Sequence, residues 1–267
     1  LSGAVVEDGF INIGEALATG HYYETEQCGA AARGKHMSSG FPVIGDIPVV
    51  GTLLDDIGAT PSYEDHDDHC NIRGLTPLGT YLVNRMIDRN MIIDLDHLSV
   101  KATSQVMDIV DARGYSGVVS SHSFMRPDAD GSVHEDFQTM LDLGGFAALY
   151  NPGTQNADRG IGRYLDAVKK TPWLPAVGIG TDMGGLAGQP DPRSNADTDP
   201  LRYPFTNEFG LTVHRQVSGN RVFDYNQDGM AHYGMLADHI QDIRQRASSR
   251  TYEAIMKSAE GYLRMWE

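Results

Sequence analysis

Two histidines and an aspartate stand at comparable places in this sequence, each directly after a short run suited to a buried strand. His97 follows Met91-Ile92-Ile93-Asp94-Leu95-Asp96, His122 follows Gly117-Val118-Val119-Ser120-Ser121, and Asp182 follows residues 176–181. Imidazoles and a carboxylate together suit a divalent ion such as zinc, and a metal-bound water is a hydrolytic nucleophile at neutral pH. A single histidine after a strand is ordinarily a structural residue with its hydrogen bonds satisfied. Three competent residues in equivalent positions say more, because the C-terminal ends of parallel strands converge on one face.

The elements that must hold these residues follow from spacing. Thr76-Pro77 reads as an N-cap and first helical position, with Leu78, Leu82 and Met86 recurring at helical spacing until Asn90. Ser99 caps a second helix with Val100, Met107 and Val110 on its apolar face, and Gly114 stops it. A helix through Phe137, Met140 and Leu141 ends at Gly144, before a strand over 146–150. A helix through Ile161, Tyr164, Leu165 and Val168 leads to the strand over 176–181. Alternating strands and helices with short connections predict parallel βα units, in a doubly wound sheet or a closed barrel. A long Gly/Pro/Asp-rich loop then runs to about Pro204, and two amphipathic helices close the chain. The last places Tyr252, Ile255, Met256, Ala259, Leu263 and Trp266 on one face, predicted to be core. Residues 1–70, rich in small residues and poor in periodicity, read as a long irregular excursion preceding the βα region at 71–267.

Composition bounds the function. With 40% hydrophobic and 21% charged residues, the 267-residue chain is ordinary for a globular protein. A net charge of −15 repels nucleic acid and anionic membrane, so neither is an expected partner. No apolar run approaches the roughly 20 residues that span a bilayer. The two cysteines, Cys28 and Cys70, are too few for a disulfide scaffold. In an oxidising compartment they could pair, closing a loop of about 40 residues for roughly 3–4 kcal/mol; in a reducing cytosol they would be two free thiols. The acidic surface and this pairing suit a secreted or periplasmic protein.

Several stretches resemble the membrane dipeptidase family of the amidohydrolase superfamily. They are Gly74-Leu75-Thr76-Pro77-Leu78-Gly79, residues 91–99, Ser121-His122-Ser123 and Gly178-Ile179-Gly180-Thr181-Asp182. The stretch from Tyr225 to Gly234 and the ending from Ala259 to Trp266 look like a bacterial branch of it. The resemblance runs from about Cys70 to the C-terminus. It implies an α/β fold, the C-terminal half of a (β/α)8 TIM-type barrel, with one or two divalent ions, zinc foremost, at its mouth. His97 and His122 match the two histidines that hold one metal. Asp182 matches the aspartate that accepts and donates the proton of the nucleophilic water. His232, inside a matching stretch, is expected to line the substrate pocket. The implied activity is hydrolysis of an amide or peptide-like bond in a small or peptide-like substrate.

The sequence also departs from the family. A first-strand His-x-His or His-x-Asp pair and a later bridging carboxylate do not occur in a strand context. His66-Asp67-Asp68-His69 falls in a polar loop, and Glu7 precedes the excursion. The expected partner is therefore the missing N-terminal half of the barrel, as a separate chain, a cleaved fragment or an absent segment. The alternatives are a catalytically incomplete subunit that needs this half, and a non-catalytic metal-binding protein. Asp224-Tyr225-Asn226-Gln227-Asp228-Gly229 begins like a calcium loop, but its twelfth position is Met235, and a turn is expected. Ser120, Ser121 and Ser123 lack a nucleophile elbow.

Overall fold

The computed structural model describes residues 18–21, 24–27, 69–122, 135–150, 154, 157–181 and 190–267. Most of the predicted excursion lies outside the described residues, with Glu7, Cys28 and the run 66–68; so does Asp182. The chain divides into two compact units, residues 1–119 with 125–145 and residues 120–124 with 146–267.

In the first unit, β1 (Thr25–Gln27) pairs antiparallel with β2 (His69–Asn71), Thr25 facing Asn71 and Gln27 facing His69. His69, expected in a polar loop, therefore opens a strand paired with Thr25–Gln27. Helix α1 (Pro77–Ile87) starts where the Thr76 hydroxyl accepts the Gly79 N–H at 3.1 Å. Its buried residues are Val83 and Ile87, whereas Leu78 and Leu82 are 74% and 56% exposed. Apolar residues occupy more than one face of this helix, and packing against the next helix selects the Val83–Ile87 row. Strand β3 (Ile93–Asp94) leads to α2 (Val100–Ala112), whose cap Ser99 accepts the Ala102 N–H at 3.0 Å. Gly114, at φ +56°, supplies the left-handed turn that stops α2. Strand β4 (Val118–Ser120) runs parallel to β3, with Ile93 opposite Val118. Helix α3 (Glu135–Asp142) buries Phe137, Met140 and Leu141 and is pinned to α2 by Ser104 Oγ donating to Asp136 Oδ2 at 2.6 Å.

The second unit contains a complete βαβ crossover. Strand β5 (Phe146–Tyr150) is parallel to β6 (Gly178–Gly180), and α4 (Ala157–Val168) connects them. Ile161, Tyr164, Leu165 and Val168 are buried, each such side chain contributing roughly 1.5–3 kcal/mol by leaving water. The Tyr164 hydroxyl donates to the Ala176 carbonyl at 2.7 Å, so the helix is tied to the strand it precedes. Two short hairpins follow, β7 (Phe205–Thr206) with β8 (Thr212–Val213) and β9 (Val217–Ser218) with β10 (Arg221–Val222). Then come α5 (Tyr225–Asp228), a 3-10 turn over Tyr233–Met235, α6 (Leu236–Arg246), α7 (Ser249–Met256) and α8 (Ser258–Trp266).

The C-terminal end thus differs from the expected pair of helices. Lys257 (φ −92°, ψ 5°) separates α7 from α8 and resets the helical phase. Beyond it Met265 is buried, while Leu263 and Trp266 are 51% and 59% exposed, so Trp266 is not core. Gly261 lets α8 approach Ala176 and the Phe146 ring, which meets Tyr262 edge-on at 5.8 Å. Parallel strands alternating with helices make this an α/β architecture of the kind that builds TIM-type barrels.

Candidate functional site

In the first unit, β3 ends at Asp94 and a turn carries His97 to the surface. Asp94 Oδ1 accepts the Asp96 N–H at 3.1 Å, and buried Leu95 anchors the turn below. His97 itself sits at φ +66°. A left-handed non-glycine residue costs of order 1 kcal/mol, and such residues concentrate where surrounding structure fixes a side chain for use.

His122 and the end of β6 belong to the second unit. Fully buried Ser120 closes β4, and half-buried Ser121 and His122 follow it. Ser121 Oγ lies 2.8 Å from His122 Nδ1. When Nδ1–H donates to that hydroxyl, Nε2 presents its lone pair, the tautomer a metal ligand requires. Gly180, the last residue of β6, lies directly against the Ser121 carbonyl and the His122 backbone, and a Cβ there would collide with both. Thr181 Oγ1 then donates to the Tyr233 hydroxyl at 3.4 Å. Beside Tyr233, His232 accepts the Gly234 N–H through Nδ1 at 3.1 Å and meets the Phe223 ring edge-on at 4.6 Å. Its Nε2 is buried without a hydrogen-bond partner among the described residues.

The structure therefore brings together His122, the strand end that leads into Asp182, and the His232–Tyr233 segment. His97 lies in the other unit, and Asp182 lies outside the described residues. Among the described residues no group of three or more His, Cys, Asp or Glu side chains gathers as a metal site. Of the predicted ligands, the described residues thus show His122 paired with Ser121 in the second unit and an exposed His97 in the first. Cys70 is buried against Val100, and no free cysteine occurs among the described residues. Asp224 and Asp228 are engaged by Arg215 at 2.6 Å and Arg221 at 2.7 Å, and they cap the turn of α5.

A second polar cluster was not foreseen. On α6, Asp238, His239 and Asp242 are all fully buried. Arg193 Nε donates to Asp242 Oδ2 at 2.8 Å, and Arg246 Nη1 lies 2.6 Å from Oδ1. The Tyr203 hydroxyl donates to Asp238, and the Tyr225 hydroxyl pairs with His239 Nδ1 at 2.8 Å. Burial pushes His239 down to about 4, partly offset by the Asp242 charge, so the imidazole is neutral. Burial likewise raises the Asp238 carboxyl, with the Tyr203 hydrogen bond acting against it.

No family model matches the sequence, and no curated protein matches it. Among solved structures the chain is similar to a crystal structure of an amidohydrolase from Pseudomonas aeruginosa, with a TM-score of 0.44 and 18% identity. The match covers 75% of this chain and 58% of that one, so the chain spans under two thirds of that protein's length.

Proposed function

We propose that this chain is a metal-dependent hydrolase of amide or peptide-like bonds, dipeptidase-like in substrate class. The supporting observation is the strand-end imidazole of His122, with Nδ1 paired to Ser121 and its backbone packed on the β6 end that leads into Asp182. His97 and His122 would hold the ion, His122 through Nε2. A bound zinc, singly or in a pair, would lower the pKa of its water toward roughly 7 and polarise the scissile carbonyl. Asp182 would accept the water's proton and pass it to the leaving amine. His232 and Tyr233 would border the substrate. In a screen of dipeptides with zinc-loaded protein, His122→Ala should lower kcat/KM by about 100-fold or more. A variant as active as the parent overturns the assignment.

A second reading is a catalytically incomplete subunit whose partner is the N-terminal half of a barrel. It is favoured by the βα count: four parallel strands among the described residues, where a closed barrel of this type takes eight. Silence of this chain alone, with activity appearing on addition of that half, would select it. We also propose a secreted or periplasmic location with a Cys28–Cys70 bond. Two reactive thiols in the denatured, unreduced protein would rule that bond out.

A further inference from the structure

In the second unit, α4 leaves no large hydrophobic side chain exposed, whereas α8 exposes three. At 3.6 residues per turn the surface of α8 divides into three stripes. The inner stripe holds Gly261, set against Ala176 and the Phe146 ring, and buried Met265. A second stripe holds Ala259, Tyr262, Leu263 and Trp266, positions three, four and seven residues apart that share one helix face. Leu263 and Trp266 are more than half exposed, and Tyr262 reaches out from its edge-on contact with Phe146. Glu260 and Arg264 form the third stripe along one flank of this row, paired with each other at 2.7 Å. Exposed apolar residues scattered singly are ordinary on a protein surface; a continuous row along a helix marks a contact surface.

We propose that this row docks a second copy of the chain, α8 lying antiparallel on the partner's α8 about a two-fold axis between Tyr262 and Leu263. The helix is complementary to its own reverse. That axis sets small Ala259 opposite the partner's Trp266 and Tyr262 opposite the partner's Leu263, so bulk meets space along the row. On the flank it sets Glu260 opposite the partner's Arg264, and Arg264 opposite the partner's Glu260, so two pairs join into a network of four alternating charges. A parallel pairing would set Trp266 on Trp266 and Glu260 on Glu260. The three exposed apolar side chains offer about 300 Å² per copy, and a pair burying about 600 Å² falls below the roughly 1,200 Å² of stable complexes. The dimer is therefore weak and reversible, anchored by Trp266. The −15 charge of each copy repels its partner at long range, but at physiological salt that field is screened beyond about 8 Å.

The test is sedimentation equilibrium of the full chain in physiological salt, up to about 500 µM. A monomer–dimer equilibrium with a dissociation constant of about 10–100 µM is expected. Leu263→Ser should weaken it about tenfold or more while retaining the parent's circular dichroism. Glu260→Arg and Arg264→Glu should each weaken it about tenfold, because each sets like charges opposite one another across the axis. Mixed in equal amounts, these two charge variants should dimerise about as tightly as the parent, since each supplies the sign the other lacks. That recovery depends on the antiparallel pairing and not on the folding of either variant alone. The proposal is overturned if the parent stays monomeric at 500 µM, which leaves the row to a different partner such as the N-terminal half. It is also overturned if Leu263→Ser dimerises like the parent, or if mixing the charge variants restores nothing.

Discussion

The proposed role of His122 depends on its nearest neighbour. An isolated imidazole distributes its proton between two nitrogens; Ser121 Oγ, 2.8 Å from Nδ1, is placed to accept Nδ1–H in the form whose lone pair is on Nε2. Removing such an orienting partner typically weakens metal binding by about 10- to 100-fold. Ser121→Ala should therefore lower zinc affinity by that factor in competition with a chromophoric chelator, and an unchanged affinity would show that the hydroxyl does not orient the ring. His97 and His122 were visible in the sequence because each follows a strand-like run, a local pattern. Asp238, His239 and Asp242 were not. A periodicity search follows apolar letters, and these polar residues are buried through partners far away in the chain: Arg193, Tyr203 and Tyr225.

The elements divide in the same way. N-caps at Thr76 and Ser99, the stop at Gly114, and strand 146–150 were readable because caps, turns and alternation are local. The hairpins over 205–222 were not, since strands of two residues carry no period. Nor was the face of α1, which tertiary packing chose between two apolar rows. Close packing of β6 against the Ser121–His122 backbone makes a sharp prediction. In Gly180→Ala the new methyl meets the Ser121 carbonyl, which cannot rotate away, so a loss of about 1–3 kcal/mol is expected in urea unfolding. Gly160, inside α4, faces open space, and Gly160→Ala should instead stabilise by about 0.5–1 kcal/mol. Equal effects at the two sites would contradict the described packing. Asp242 ties α6 to the 190–200 segment through Arg193, and both partners are buried. Asp242→Ala leaves the arginine without its carboxylate and should cost about 3–5 kcal/mol in the same assay. A loss below about 1 kcal/mol would mean that the pair is solvated.

For the whole molecule, the buried imidazole links folding to pH. His239 lies near 4 in the folded chain against 6.5 in its ordinary state, so the unfolded chain binds its proton more readily. Above about pH 6.5 both states are neutral there and stability is untouched. As pH falls from 6.5 toward 4, stability declines, by about 3 kcal/mol in full. Asp238, raised by burial, acts in the opposite sense, so His239 is isolated by comparison with a variant. Between pH 7 and pH 4.5 the parent should lose about 2 kcal/mol more than His239→Gln, and parallel losses would contradict the neutral imidazole. At this scale the sequence disclosed charge and class. The −15 net charge is a sum over residues, and no helix among the described residues is long and apolar enough to cross a membrane.

The assignment rests on His122 as a metal ligand, and zinc content measures that without reference to substrate. After zinc loading and exhaustive dialysis, elemental analysis should find about one ion or more per parent chain and a clear loss in His122→Ala. A parent chain without zinc, or equal content in the two proteins, would contradict it.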